Sequence, residues 1–150
     1  MLVASLPKHL AEKKTVDNNF KILNETKKYV LGHIFEEAYL IDKITNEKYE
    51  LGSMYGDPSC GLIDQGSKWC IVGGSTLIIW TTKETTELKA NELYWACRIR
   101  QINQNSVQIL IDPWADSSSI WELNILDKIY FKIRDFNNYK DKGYTEQIEW

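Results

Sequence analysis

Strand signals dominate the chain from Phe20 onward, and in two segments apolar and polar residues alternate with a period of two. The segment AYLIDKITNEKYELG shows this pattern on both sides of a polar turn at residues 45–48, and LYWACRIRQI repeats it in one longer run. Alternation of this kind is typical of strands that bury one face, and turn signals recur about every ten residues. We therefore predict a mainly β fold of about eight strands, with at most one or two short helices, arranged as a barrel, a sandwich or one curled antiparallel sheet.

The central stretch YGDPSCGLIDQGSKWCIVGG contains two turns rather than a chemical motif. Residues 56–59 and 64–67 combine glycine, proline and aspartate, which set backbone angles or bond the local backbone in tight turns. The segments CGLI, KWCIV and TLIIWTT then read as successive strands of a meander. The polar run KETTELKANE that follows is interpreted as a link between strands.

Two similar phrases, LIIW and SSIW, begin 41 residues apart, at Leu77 and Ser118. This spacing is close to the period of a β-propeller blade. A closed propeller needs at least about four such blades, and the chain is too short for them. We therefore do not predict a propeller.

Length and composition indicate one domain over residues 1–150, with residues 1–19 as a loose N-terminal arm in which residues 11–20 favour a short helix. The N-terminal segment has no basic region ahead of its short apolar run, whereas a secretory signal would have one. No apolar run is long enough for a membrane span, so a cytoplasmic protein is expected. In that compartment, Cys60, Cys70 and Cys97 are expected to be free thiols.

Acidic residues are concentrated in two segments. Residues 33–72 carry seven acids against three lysines, and residues 112–150 carry eight acids against five basic residues. Without a basic stripe, nucleic-acid binding is not expected. The acidic segments suit a basic protein partner, because complementary fields accelerate encounter.

An enzymatic alternative would use Cys60 as nucleophile, His33 as base and Asp112 as the group that orients the histidine. The other reading is a buried thiol beside a turn and a half-exposed strand histidine. A zinc site would need Cys70 and Cys97 as well, but the chain lacks short-spaced ligand pairs. We expect no catalytic residue, metal or cofactor. A β-barrel that binds a small molecule in an apolar pocket is a further alternative.

Aromatic and acidic residues in turns are the candidates for partner recognition. Trp114 lies between Asp112 and Asp116, so it either anchors an interface or plugs the end of the core. The tryptophans in strand patterns are assigned to the core, and Trp150 either docks the tail or reaches a partner. The core set is Trp69, Trp80, Trp95 and Trp121. The partner-binding set is Tyr55, Asp57, Asp112, Trp114, Asp116 and Glu122.

The phrases YGDPSCGLI, KWCIVGG, LIIW and SSIWEL, within residues 55–123, resemble the small immunity proteins of bacterial polymorphic toxin systems. This resemblance implies a cytoplasmic, non-enzymatic inhibitor that binds a cognate toxin domain. Inhibition would follow from covering the toxin's active site or its substrate surface. The resemblance transfers no functional residues.

Overall fold

The computed structural model describes residues 19–150, which form twelve strands and one short 3-10 turn. The mainly β fold is confirmed, but the strand number exceeds the expected eight. The polar run KETTELKANE, which we expected to be a link, contains a further strand, TTEL. This segment has no apolar alternation of its own, and it forms a strand because it pairs with an apolar neighbouring strand. The residues proposed as an N-terminal arm and short helix lie largely outside the described residues.

The strands form three antiparallel four-stranded sheets, each with its strands in chain order. Sheet 1 contains β1 (Phe20–Glu25), β2 (Tyr29–Ile34), β3 (Glu37–Asp42) and β4 (Lys48–Ser53). Sheet 2 contains β5 (Cys60–Ile63), β6 (Trp69–Gly73), β7 (Leu77–Thr81) and β8 (Thr85–Leu88). Sheet 3 contains β9 (Ala96–Asn103), β10 (Ser106–Ile111), β11 (Ser119–Asn124) and β12 (Tyr130–Asp135). The turn at Asn91–Leu93 links sheets 2 and 3.

The three sheets stack face to face as in a sandwich and do not close into a barrel. The segments LIIW and SSIW lie at the start of the third strand of their sheets, β7 in sheet 2 and β11 in sheet 3. The spacing therefore reflects a repeated meander of about 40 residues, the size of one propeller blade. The described residues contain three such units.

Sheet 2 lies in the middle, and its two faces support separate cores. Leu31 and Leu40 of sheet 1 pack with Cys70 and Val72 on one face. The other face packs Trp69 and its neighbours against apolar residues of sheet 3. Because both faces are covered, β6 is buried along its whole length, and its sequence WCIVG lacks the alternation of a half-exposed strand.

The outer face of sheet 3 is covered by residues 136–150, which we call the tail. Phe136 is fully buried there against Leu110 and Ile120. Arg100 of β9 holds the end of the tail, since its guanidinium lies 3.9 Å from the centre of the Trp150 ring. Trp150 therefore docks the tail onto its own sheet. The described residues contain no helix of the length and apolarity needed to cross a membrane.

Candidate functional site

Five connections between strands meet at one end of the stacked sheets, and we call this end the loop face. Each sheet is an antiparallel meander, so every second connection returns to the same end. The loop face consists of residues 35–36, 54–59, 74–76, 89–95 and 112–118.

Contacts join these loops into one surface. The backbone N–H of Gly56 donates a 2.8 Å hydrogen bond to the Glu36 carboxylate, which links the first two loops. The N–H of Trp95 donates to the Gly74 carbonyl, and the Trp95 carbonyl accepts from the Asp112 N–H. The loop face is thus held by bonds between loops that are well separated in sequence.

The loop face is acidic and aromatic, whereas the opposite end is not. Its loops carry five acids against Lys89 alone: Glu36, Asp57, Glu92, Asp112 and Asp116. They also carry five aromatic residues: Phe35, Tyr55, Tyr94, Trp95 and Trp114. The connections at the opposite end hold six lysines, four acids and no aromatic residue. A charged surface with exposed aromatic anchors is the composition of a protein-recognition site.

Five of the six sequence candidates lie on the loop face. Tyr55 is 83% exposed, and Asp57 and Asp116 are also exposed. Asp112 has a local role, because its carboxylate accepts a 3.1 Å hydrogen bond from the Trp114 N–H and shapes the turn. The sixth candidate, Glu122, lies instead on β11, half-buried on the tail side of sheet 3.

Trp114 is half-buried against the tail rather than in the main core. Its ring lies 5.1 Å from that of Tyr144 and 6.3 Å from that of Tyr139. Its indole N–H is buried and has no acceptor within residues 19–150. Trp114 therefore connects the loop face to the tail.

Trp95 and Phe35 are exposed aromatic residues of the loop face that the sequence did not identify as candidates. Trp95 was assigned to the core, and that assignment is wrong: the side chain is 56% exposed, because β9 begins only at Ala96 and the residue before it turns outward. Phe35 is 62% exposed in the two-residue β2–β3 loop. The other three tryptophans assigned to the core do pack there.

The residues of the cysteine–histidine hypothesis are not brought together. Cys60 faces sheet 3, where its thiol donates to the Ala96 carbonyl at 3.6 Å. His33 belongs to sheet 1, on the other side of sheet 2. It is buried rather than half-exposed, and its Nδ1 hydrogen-bonds the Phe35 carbonyl at 2.9 Å. Burial raises the pKa of the Cys60 thiol to about 12, which disfavours the nucleophilic thiolate.

All three cysteines are free thiols, as expected. Cys60 and Cys70 belong to different cores on opposite faces of sheet 2, which prevents a bond between them. Within residues 19–150, no three His, Cys, Asp or Glu side chains are grouped to hold a metal ion.

We expect the stability of the fold to decline above pH 9 because of the buried thiols. Burial raises the pKa of Cys60 from 9.0 to about 12 and also raises the pKa of Cys70. Folding therefore favours the protonated thiols, and this stabilisation is complete below pH 9 and is lost as the pH rises toward 12. The slope should approach roughly 1.4 kcal/mol per pH unit for each thiol.

The measurement is urea unfolding from pH 8 to 11 for the wild type and for Cys60→Ala/Cys70→Ala. The double variant should lose much of the alkaline slope, whatever its stability at pH 8. An unchanged slope would show that these thiols do not titrate differently in the folded and unfolded chains. Cys97→Ala removes a half-buried thiol whose pKa burial also raises, and it should reduce the slope by less than the double variant does.

A cleft of about 580 Å³, lined mostly by polar residues, lies at the opposite end, between the β5–β6 and β9–β10 turns. The buried Asp64 carboxylate accepts from the N–H groups of Gly66 and Lys68 and from the Gln101 amide. These bonds fix the turn, and side-chain amides line most of the remaining wall. This lining differs from the apolar pocket that the small-molecule alternative requires.

No protein-family model matches the chain, and a search of the curated proteins found no match.

Proposed function

We propose that the protein is a non-enzymatic inhibitor that binds a basic protein partner through the loop face. The observation that carries this proposal is the asymmetry of the two ends: the loop face has five acids, one lysine and five aromatic residues, whereas the opposite end has four acids, six lysines and no aromatic residue. Together with the resemblance to immunity proteins, it favours a cognate toxin domain as the partner.

Inhibition would follow from occlusion. The loops are tied to one another by backbone hydrogen bonds and lie on stacked sheets, so they present a preformed surface. A preformed surface loses little conformational entropy on binding. The acidic loops would attract a basic domain, and the aromatic side chains would cover its active site or its substrate surface.

The first experiment is capture of proteins from a lysate at low and at high salt. We expect one basic protein in stoichiometric amount, with weaker capture at high salt because the steering charges are screened. The purified partner should lose activity when the protein is added. Binding of an acidic partner, or binding without inhibition, would contradict the proposal.

Charge reversal locates the interface. Asp57→Lys/Asp116→Lys changes two exposed loop-face acids and should slow association with the partner by roughly 10- to 100-fold at low salt. Glu47→Lys/Glu84→Lys makes the same change in charge at the opposite end, where both side chains are exposed. Association rates from surface plasmon resonance should separate the two variants. Equal effects of the two would place the interface elsewhere.

A further inference from the structure

Two exposed aromatic residues of the loop face have left-handed backbone conformations. Trp95 has φ of 68° and Phe35 has φ of 50°. The other non-glycine residues with positive φ among residues 19–150 are polar: Asn46, Ser67, Lys128 and Asp141. Bulky residues rarely adopt this region, since the β-carbon approaches the following carbonyl.

Neither position gains a buried side chain in return for the strained backbone. Phe35 occupies the first position of a two-residue hairpin loop, where glycine is the usual residue when φ is positive. Trp95 is bonded through its N–H to the β6–β7 loop and through its carbonyl to the β10–β11 loop. These two bonds fix its backbone while the indole projects from the surface.

Backbone strain of this kind persists when the surrounding structure enforces it, and it is concentrated at binding and catalytic sites. Here the strain aims two large rings outward from one surface. Trp and other aromatic residues are the commonest anchors at the centres of protein interfaces.

The acidic surroundings define what the rings would contact. An aromatic face attracts a guanidinium group, and nearby carboxylates strengthen that attraction. The chain itself contains this geometry at another place, where the Arg100 guanidinium stacks on the Trp150 ring. The loop-face rings have no such cation in the described part of the chain.

We propose that Trp95 and Phe35 are the anchor residues of the loop face and that they receive arginine side chains of the basic partner. This inference rests on the proposed function and adds the chemical identity of the contact. It assigns specificity for arginine to two rings that the fold holds outward.

The probe is a fluorescein-labelled hexa-arginine peptide, with binding measured by fluorescence anisotropy at low salt. Trp95→Gly should bind roughly two- to fivefold more weakly than the wild type, as expected for loss of one exposed cation–π contact. Phe131→Ala is the matched control, because Phe131 is 52% exposed on the edge strand β12 and lies outside the loop face. It should bind the peptide like the wild type.

Stability measurements separate an anchor from a structural residue. Trp95→Ala and Trp95→Gly remove the same side chain, but only glycine relieves the left-handed strain. The urea midpoint of Trp95→Gly should therefore exceed that of Trp95→Ala, the reverse of the usual order. The inference is overturned if the order is not reversed, or if Trp95→Gly binds the peptide as tightly as the wild type.

The two proposals fail in different ways. If the wild type captures a basic protein and Trp95→Gly captures it equally well, the anchor assignment is wrong and the proposed function stands. If Trp95 mediates peptide binding but the captured protein is not inhibited, the anchor assignment stands and the proposed function is wrong.

Discussion

Replacing Trp69 by alanine is expected to lower the free energy of unfolding by about 3–5 kcal/mol. Trp69 lies on β6, is 2% exposed, and fills the core between sheets 2 and 3. Its indole N–H also donates a 2.9 Å hydrogen bond to the Gln104 carbonyl in the β9–β10 turn. The variant would lose both the buried ring and a direct bond between the two sheets.

Urea unfolding followed by circular dichroism measures this effect. Trp69→Phe keeps an aromatic ring but removes the indole donor, so it should cost less, about 1–2 kcal/mol. Phe131→Ala is the exposed control and should change stability by less than about 1 kcal/mol. A loss below about 1 kcal/mol for Trp69→Ala would mean that sheets 2 and 3 do not depend on this contact.

Replacing Gly32 by alanine is expected to lower the free energy of unfolding by about 3 kcal/mol, because the paired strand β1 lies too close for a side chain at this position. A β-carbon at Gly32 would lie 2.4 Å from the Lys21 carbonyl oxygen and 2.5 Å from the Phe20 ring. The ring can rotate, but the carbonyl belongs to the paired strand. Relief of this contact therefore requires β1 to shift from its register with β2.

Gly143→Ala is the matched control for this substitution. Gly143 lies in the tail, and a β-carbon added there would have no neighbouring atom within 4 Å. The same chemical change should alter stability there by no more than about 0.5 kcal/mol. If both glycine variants unfold at the same urea concentration as the wild type, β1 does not pack against β2 as described.

Local patterns predicted most of the strands correctly. The turns at residues 56–59 and 64–67 follow from residues whose preferences act over a few positions, and both fall between observed strands. The 41-residue spacing of two phrases also reflected a real repeat of the meander. The strand Thr85–Leu88 was missed because its residues carry no apolar alternation, and its place is set by pairing with β7.

The candidate site was only partly visible in the sequence. Tyr55, Asp57 and Asp116 could be chosen because turns expose aromatic and charged side chains. Trp95 could not, because the run LYWACRIRQI continues the alternation of β9 past the point where the strand begins. Its outward position depends on bonds to Gly74 and Asp112, residues that are distant in the sequence.

The sequence by itself determined the β class, several turns and the free thiols, since these follow from alternation, turn chemistry and composition. Only the tertiary structure decided which face each strand buries, and therefore why Cys60 and Cys70 point to different cores. It also decided that five separate loops form one acidic, aromatic surface. The physical reason is that sheet stacking and meander direction are set by contacts between residues far apart in the chain, which no local pattern encodes.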